Sequence, residues 1–358
     1  MNRMQTAAPD AGKLEALLGR VLTDIGAAMG GSLVLLGDRL GLWRAMAEGG
    51  PMESTELARR TGTTERYVRE WLAAQAAAGY LDYDPGTRRY SLPPEQTAIF
   101  ADEESPVFMA GVYDVIASAW RDEPKITDAF RSGHGLGWHE RSNCLFCGTE
   151  RFFRTAYLHN LVQSWLPALD GVMEKLQRGA TVADVGCGHG ASTILMARSF
   201  PNSRFTGFDY HAPSVAAAKE TAKRAGLGDT ISFEVAAAKE VPARGFDLAC
   251  MFDCLHDMGD PEGAARHLRS TLAPDGTLMV VEPFARDRVE DNLNPVGRVY
   301  YAASTMICTP ASLAQEGQAG LGAQAGPKRL LDLLHRAGFG SARVATETPF
   351  NIVLEARP

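Results

Sequence analysis

Val182-Ala183-Asp184-Val185-Gly186-Cys187-Gly188-His189-Gly190 closes an apolar run and opens a helical one. Glycines at such a turn allow positive φ and let a ligand approach the backbone closely. The spacing is Gly-x-Gly-x-Gly after an aspartate, not the Gly-x-Gly-x-x-Gly of a dinucleotide fingerprint. Outward from this turn the pattern alternates. Strands are predicted at 181–185, 204–208, 231–235, 246–252 and 277–282. Helices are predicted at 191–199, 213–225 and 261–272. Such alternation implies an α/β fold, a parallel sheet with helices on both faces. A further helix at 328–337 precedes two strands, 342–346 and 351–356, joined by a short turn. They predict an antiparallel C-terminal hairpin at the sheet edge. Asp209 follows the second strand, where such sheets place the acceptor for a ribose diol. A carboxylate suits that task because it accepts hydrogen bonds from both hydroxyls.

Upstream the pattern differs. Leu14, Leu17, Leu18, Val21 and Leu22 keep a helical period, and helix is predicted over 14–48. A short helix follows, with Ser54 or Thr55 as N-cap and Gly62 as stop. Then come a helix at 63–78 and two short strands around Pro85-Gly86. Helix, helix, hairpin is the outline of a winged helix. Between Glu53 and Leu92 there are six basic residues (Arg59, Arg60, Arg66, Arg69, Arg88, Arg89) and six acidic ones (Glu53, Glu56, Glu65, Glu70, Asp82, Asp84). A surface that reads phosphates carries a cationic excess, so the charge balance favours dimerisation over nucleic-acid binding. The reading divides the chain into a winged helix at 1–95, a helical aromatic-rich segment at 96–177 and the α/β domain at 178–358.

The formal charge of -7 over 358 residues argues against a non-specific polyanion binder. The uninterrupted apolar run 33–36 is too short to span a bilayer, and residues 1–10 lack the regions of a signal peptide. A cytoplasmic protein with no membrane contact is expected. Six scattered cysteines make no disulfide framework and read as reduced thiols.

The run from Ala180 to Glu282 resembles a class I, Rossmann-like S-adenosylmethionine-dependent methyltransferase domain. The resemblance implies that Asp184, Gly186 and Gly188 cradle the methionine part of the cofactor. It implies that Asp209 takes the ribose, with Tyr210 beside the adenine. The family's third motif is an acidic Gly-Asp-Ala before a proline. Here Ala236-Ala237-Ala238 precedes Pro242. Ala237 stands where the acid that receives the adenine amino group would be, leaving backbone near Ala238 and apolar packing to hold the ring. Phe252, ending the fourth strand, completes the cofactor set. The N-terminal part, with Gly37-Asp-Arg-Leu-Gly-Leu-Trp-Arg-Ala-Met-Ala-Glu-Gly49, is similar to the dimerisation domain of plant-type O-methyltransferases and related bacterial enzymes. A homodimer acting on a small-molecule methyl acceptor, with oxygen as acceptor atom, is the resulting expectation. The alternative is a ligand-sensing DNA-binding regulator.

Phe252-Asp-Cys-Leu-His-Asp-Met-Gly-Asp-Pro261 lies at the carboxyl end of a strand, where ligands bind in such sheets. In the resembling enzymes the histidine of this run is a general base, which points to His256. A helix-start residue without chemistry is the equal alternative. Glu282 is placed to orient His256 or to meet substrate. Aromatics of the middle segment are core by default, but Trp138, Phe153 and Tyr157 are candidate substrate walls. Tyr301 and Met306 join them from a segment that interrupts the sheet pattern. Cys144-x-x-Cys147, with His134 and His139 upstream, has one real ligand spacing, but a single pair with unrelated histidines predicts no metal site.

Overall fold

The structure is a computed structural model and describes residues 8–228 and 230–358, apart from the side chain of Asn143. Residues 1–7, part of the stretch read above for a signal peptide, lie outside the described residues. The chain divides at Ala117–Ser118 into two compact units.

The N-terminal unit begins with α1 (Ala11–Arg39) and α2 (Leu42–Gly49). These were predicted as one helix. They are two because Gly41 takes φ +68°, a left-handed conformation that glycine tolerates without steric cost. Next come α3 (Ser54–Thr61), α4 (Glu65–Ala77), the antiparallel pair β1 (Asp82–Asp84) and β2 (Arg89–Ser91), and α5 (Pro94–Phe100). Gly62 caps α3 as predicted, but its N-cap is Glu53. Ser54 instead donates its hydroxyl to Glu65, 2.5 Å away. Trp43, Trp71 and Phe100 fill the core of this unit, and the two indoles donate to the carbonyls of Val34 and Leu33 in α1. On α4, Arg66 pairs with Glu70 and Arg69 with Glu65. The cations of that helix are thus offset within it, in keeping with the balanced charge.

Along α1, Leu14, Leu18, Leu22, Ile25 and Met29 are exposed, Met29 by 72%. With 29 residues and mean hydropathy 1.3 over its most apolar window, α1 is the one helix among the described residues long and apolar enough to cross a membrane. A search for unbroken apolar runs passes over it. Its glycines and alanines keep the hydropathy high while polar residues break every run.

The second unit opens within α6 (Val112–Ser132), followed by α7 (Asn143–Ala156), which continues as a π-helical stretch, Tyr157–Trp165. After α8 (Val172–Arg178) comes the sheet: β3 (Thr181–Val185), β4 (Arg204–Asp209), β5 (Ile231–Val235), β6 (Phe246–Phe252), β7 (Leu272–Pro283), β8 (Ser341–Glu347) and β9 (Asn351–Arg357). The strand order is β5-β4-β3-β6-β7-β9-β8. The first five are parallel, and β9 runs antiparallel to both β7 and β8. Helices α9 (Ala191–Ser199), α10 (Ala212–Arg224), α11 (Pro261–Thr271), α12 (Pro295–Ala303), α13 (Thr309–Leu313) and α14 (Pro327–Arg336) complete the unit. Strand residues alternate between two cores. Val182, Phe205, Leu248 and Met279 enter one, and Ala183, Phe208, Met251 and Val280 the other. Burial on both faces explains why these strands read as near-continuous apolar runs.

Candidate active site

The quoted glycine run makes the β3–α9 turn. Gly186, Gly188 and Gly190 have φ of +77°, +52° and +80°. A Cβ at Gly186 would stand 2.7 Å from Cys254 Sγ, and one at Gly190 2.6 Å from the Phe233 ring. At Gly188 a Cβ would meet nothing within 4 Å. Bare backbone there faces a cavity of about 390 Å³ at the carboxyl ends of the parallel strands.

Asp184 lies beneath this turn, outside the cavity wall. Its Oδ2 accepts from Ser192 and Thr193 hydroxyls, both at 2.6 Å, which ties strand to helix. Burial pushes its pKa up to about 6. Asp209 stands in the wall, receiving the Gly188 N–H at 2.9 Å and the His211 N–H at 2.8 Å. Burial raises its pKa against those two bonds. Tyr210, Ala238 and Phe252 also line the cavity, as does the Ala236–Ala237 backbone.

Aromatic rings form much of the remaining wall. Phe146 of α7 stacks on His211 with centroids 4.8 Å apart and also meets Trp138. Tyr157 stacks on Phe153 and tilts against Phe252 at 5.3 Å. Wall carboxylates number six (Glu150, Asp209, Asp253, Asp257, Asp260, Glu316) against one lysine, Lys239, itself paired with Asp260 at 3.1 Å. An acidic cavity favours a cationic ligand. The bare-backbone turn, the carboxylate after β4 and this excess of acid fit S-adenosylmethionine, whose sulfonium is a cation.

Beyond β6 the chain turns sharply: Asp253 has φ +50°, rare for a non-glycine residue, and backbone strain of this kind gathers at functional sites. Asn351 donates to its Oδ1 at 3.1 Å, while Oδ2 is buried without a partner. His256 follows, 3% exposed and outside the cavity wall. Its Nδ1 donates to Glu282 Oε2, and its Nε2 lies 3.2 Å from Asp257 Oδ1. Glu282 Oε1 in turn accepts the Leu255 N–H at 3.0 Å. Burial opposes charge on the imidazole. The Glu282 and Asp257 carboxylates outweigh it and hold His256 well above its ordinary range. Asp257 is the member of this row that reaches the cavity wall, and the Trp138 indole donates to its Oδ2 at 3.2 Å. Burial raises the Asp257 pKa, against the pull of His256.

The cavity therefore brings together Gly186, Gly188, Asp209, Tyr210, Ala238, Phe252, Trp138, Phe153 and Tyr157. Asp184, His256 and Glu282 stand behind the wall, and Tyr301 and Met306 are not part of it. Met306 enters the architecture through its carbonyl, which accepts from Arg141 at 2.8 Å. Asp253, Asp257 and Phe146 were not singled out from sequence. The two aspartates flank His256 in the run already quoted, and the strand-end position was their signal.

Residues 176–338 match a family model described as a methyltransferase domain, and residues 28–101 one described as an Rv2258c-like winged HTH domain. Trans-aconitate 2-methyltransferase of Escherichia coli O17:K52:H18 is 33% identical over 128 residues, 36% of this chain and 49% of that protein. The chain spans half or less of the length of the curated relatives it matches first, 24% to 49%. Solved structures extend the likeness over nearly the whole chain. Human N-acetylserotonin methyltransferase in complex with S-adenosylmethionine superposes with TM-score 0.72, 19% identity and 99% of both chains covered. Mitomycin 7-O-methyltransferase does so with TM-score 0.68, 22% identity, 97% of this chain and 100% of that one. At such identities the shared property is the fold. Residues 176–338 are therefore a methyltransferase domain, with a winged helix-turn-helix domain at residues 28–101 ahead of it.

Proposed function

We propose that the protein transfers a methyl group from S-adenosylmethionine to an oxygen of a small, largely apolar acceptor. When bound, the cofactor supplies a methyl group activated by its positive sulfur. Gly186 and Gly188 offer backbone to its methionine part, and Asp209 receives the ribose hydroxyls. Tyr210, Ala238 and Phe252 pack the adenine. Trp138, Phe153 and Tyr157 hold the acceptor's apolar body, which fixes its orientation. The observation that carries the reading is the row Glu282–His256–Asp257, ending in the cavity wall beside the glycine turn. Asp257 meets the acceptor hydroxyl and takes its proton. His256, with both ring nitrogens engaged by carboxylates, positions Asp257 and shares the charge, so its role as base is exercised through its neighbour. Calorimetry should show one S-adenosylmethionine bound per chain. Supplying small hydroxylated aromatic compounds with methyl-labelled cofactor should yield S-adenosylhomocysteine and a labelled ether. A chain that binds no S-adenosylmethionine would end the reading.

The homodimer belongs to the same proposal. The exposed stripe of α1 is long and apolar, and unpartnered apolar faces of this size are covered in soluble assemblies. Light scattering should give twice the chain mass. Leu18→Glu together with Leu22→Glu should halve it while leaving cofactor binding in place. A monomeric wild type would remove the dimer.

A further inference from the structure

Asp253 lines the cavity but takes no part in the proton transfer assigned to Asp257. Its left-handed backbone, φ +50°, is pinned by the N–H that it donates to the Val281 carbonyl of β7 at 2.8 Å. Its Oδ1 is pinned by the Asn351 amide. Asn351 is itself buried and tied to Thr348 by two hydrogen bonds, of 2.8 and 2.9 Å. The other oxygen, Oδ2, is buried and has no hydrogen-bond partner among the described residues. We propose that Asp253 recognises a basic nitrogen on the methyl acceptor, so that the substrates are hydroxylated amines bound as ammonium ions.

Three observations carry this. The first is the missing partner. A carboxylate oxygen withdrawn from water needs a donor. The charged groups around Asp253 supply none: Glu282 and Asp257 are acids, and they engage both ring nitrogens of His256. Burial and the charges of Glu282 and Asp257 push Asp253 well above the carboxylate range, against His256 and the Asn351 bond. An ammonium ion brings both what is lacking, N–H donors and positive charge. The second is direction. Asp209, to which the ribose is assigned, follows β4, two strands to one side of β6, whereas Asn351 opens β9, two strands to the other. The clamp therefore draws the Asp253 carboxyl away from the cofactor's half of the cavity and towards the acceptor's. The third is the aromatic wall. Burial first and then the Asp253 charge hold Tyr157 above the phenol range, so the two side chains share one space. Tyr157 stacks on Phe153 with centroids 6.3 Å apart and tilts against Phe252 at 5.3 Å. Ring faces attract a desolvated cation, so the rings that hold the acceptor's apolar body also favour its charge.

Binding moves one proton. The amine arrives protonated, Asp253 gives its own proton to solvent, and the ion pair forms. Amine affinity therefore rises with pH as Asp253 ionises and falls towards acid. The titratable groups that share its field are Glu282, Asp257, His256, Tyr157 and Tyr300. The proposal rests on the methyl-transfer reading, but its test requires no methyl transfer.

The full-length protein, saturated with S-adenosylhomocysteine, is titrated calorimetrically with three matched pairs: tyramine and tyrosol, dopamine and hydroxytyrosol, serotonin and 5-hydroxytryptophol. Within each pair an ammonium group replaces an alcohol on one skeleton. In at least one pair the amine should bind about 10- to 150-fold more tightly, the scale of a hydrogen bond to a charged group. Its heat should vary with the ionisation enthalpy of the buffer, which reports the released proton. Asp253→Asn keeps a side chain suited to positive φ, and Asp253→Gly a backbone that adopts it freely. Both should lose the preference and the proton release, while S-adenosylhomocysteine affinity stays within about twofold of wild type. If one variant does not fold, the other decides; if neither folds, the proton release of the wild type decides. A chain that binds no S-adenosylhomocysteine would end the methyl-transfer reading and this proposal with it. With S-adenosylhomocysteine bound, no preference for the amine in any pair, or a preference that survives the substitutions, would overturn the proposal alone. Loss of S-adenosylhomocysteine affinity in both variants would assign Asp253 to the cofactor's own ammonium group and overturn it equally.

Discussion

His256→Ala lowers turnover by about 10²–10⁴-fold, the loss typical of a disabled proton-transfer apparatus, while S-adenosylmethionine binds as before. The expectation follows from where the side chain stands. His256 is behind the cavity wall and touches neither ligand position, so its removal leaves the glycine turn and Asp209 in place. It does leave Glu282 and Asp257 facing each other across a vacated, buried space without a cation between them. Asp257 then loses both its orientation and its charge partner. Because the two residues act as a unit, Asp257→Asn should cost a similar factor, and the double variant should be little worse than either single one. Rates and cofactor affinities of the three variants, with thermal melts as a control on folding, give the answer. Near-normal turnover in His256→Ala would make the row structural. Multiplying losses in the double variant would separate the two residues.

Asp209→Ala should weaken S-adenosylmethionine binding by about 1.5–3 kcal/mol, or roughly 10- to 150-fold, the scale of charge-assisted hydrogen bonds. The carboxylate has two tasks. Its oxygens already receive the N–H groups of Gly188 and His211, which sets the curve of the glycine turn. Each oxygen keeps a lone pair for a ribose hydroxyl. Asp209→Asn preserves part of the first task and loses the charge of the second, so it should fall between alanine and wild type. Calorimetry measures both. Unchanged affinity in Asp209→Ala would remove the ribose assignment.

The sheet was legible because its strands are buried on both faces. Such strands write themselves as apolar runs, and the turns between them are punctuated by glycine and proline. The runs 181–185, 231–235 and 246–252 coincide with β3, β5 and β6 to the residue. The break between α1 and α2 was not legible. Gly41 interrupts a pattern whose hydrophobic period continues on both sides, and periodicity alone cannot separate a tolerated glycine from a hinge. The site divided similarly. Residues at strand ends in the glycine turn and after β4 follow from topology, so their neighbourhood could be read. Whether a strand-end side chain faces the cavity or stands behind its wall depends on turns such as the left-handed Asp253, which no spacing rule specifies. That is why the sequence pointed to His256, which stands behind the wall, and not to its neighbour Asp257, which lines it. Cys308 arrives from a helical excursion between β7 and β8, and only packing brings it to His256.

The position of β9 has a consequence for biosynthesis. It is the last strand among the described residues, yet it lies inside the sheet, between β7 and β8, and its first residue, Asn351, anchors Asp253 from 98 residues away in sequence. A nascent chain that has emerged only through β7 carries the glycine turn and the whole parallel half of the sheet, but has neither the interior strand nor the clamp on Asp253. Closing contacts of such long separation is slow. The growing polypeptide consequently passes through a stage in which it can harbour the nucleotide pocket without a finished reaction centre, and chemical competence arrives after the cofactor's cradle rather than with it.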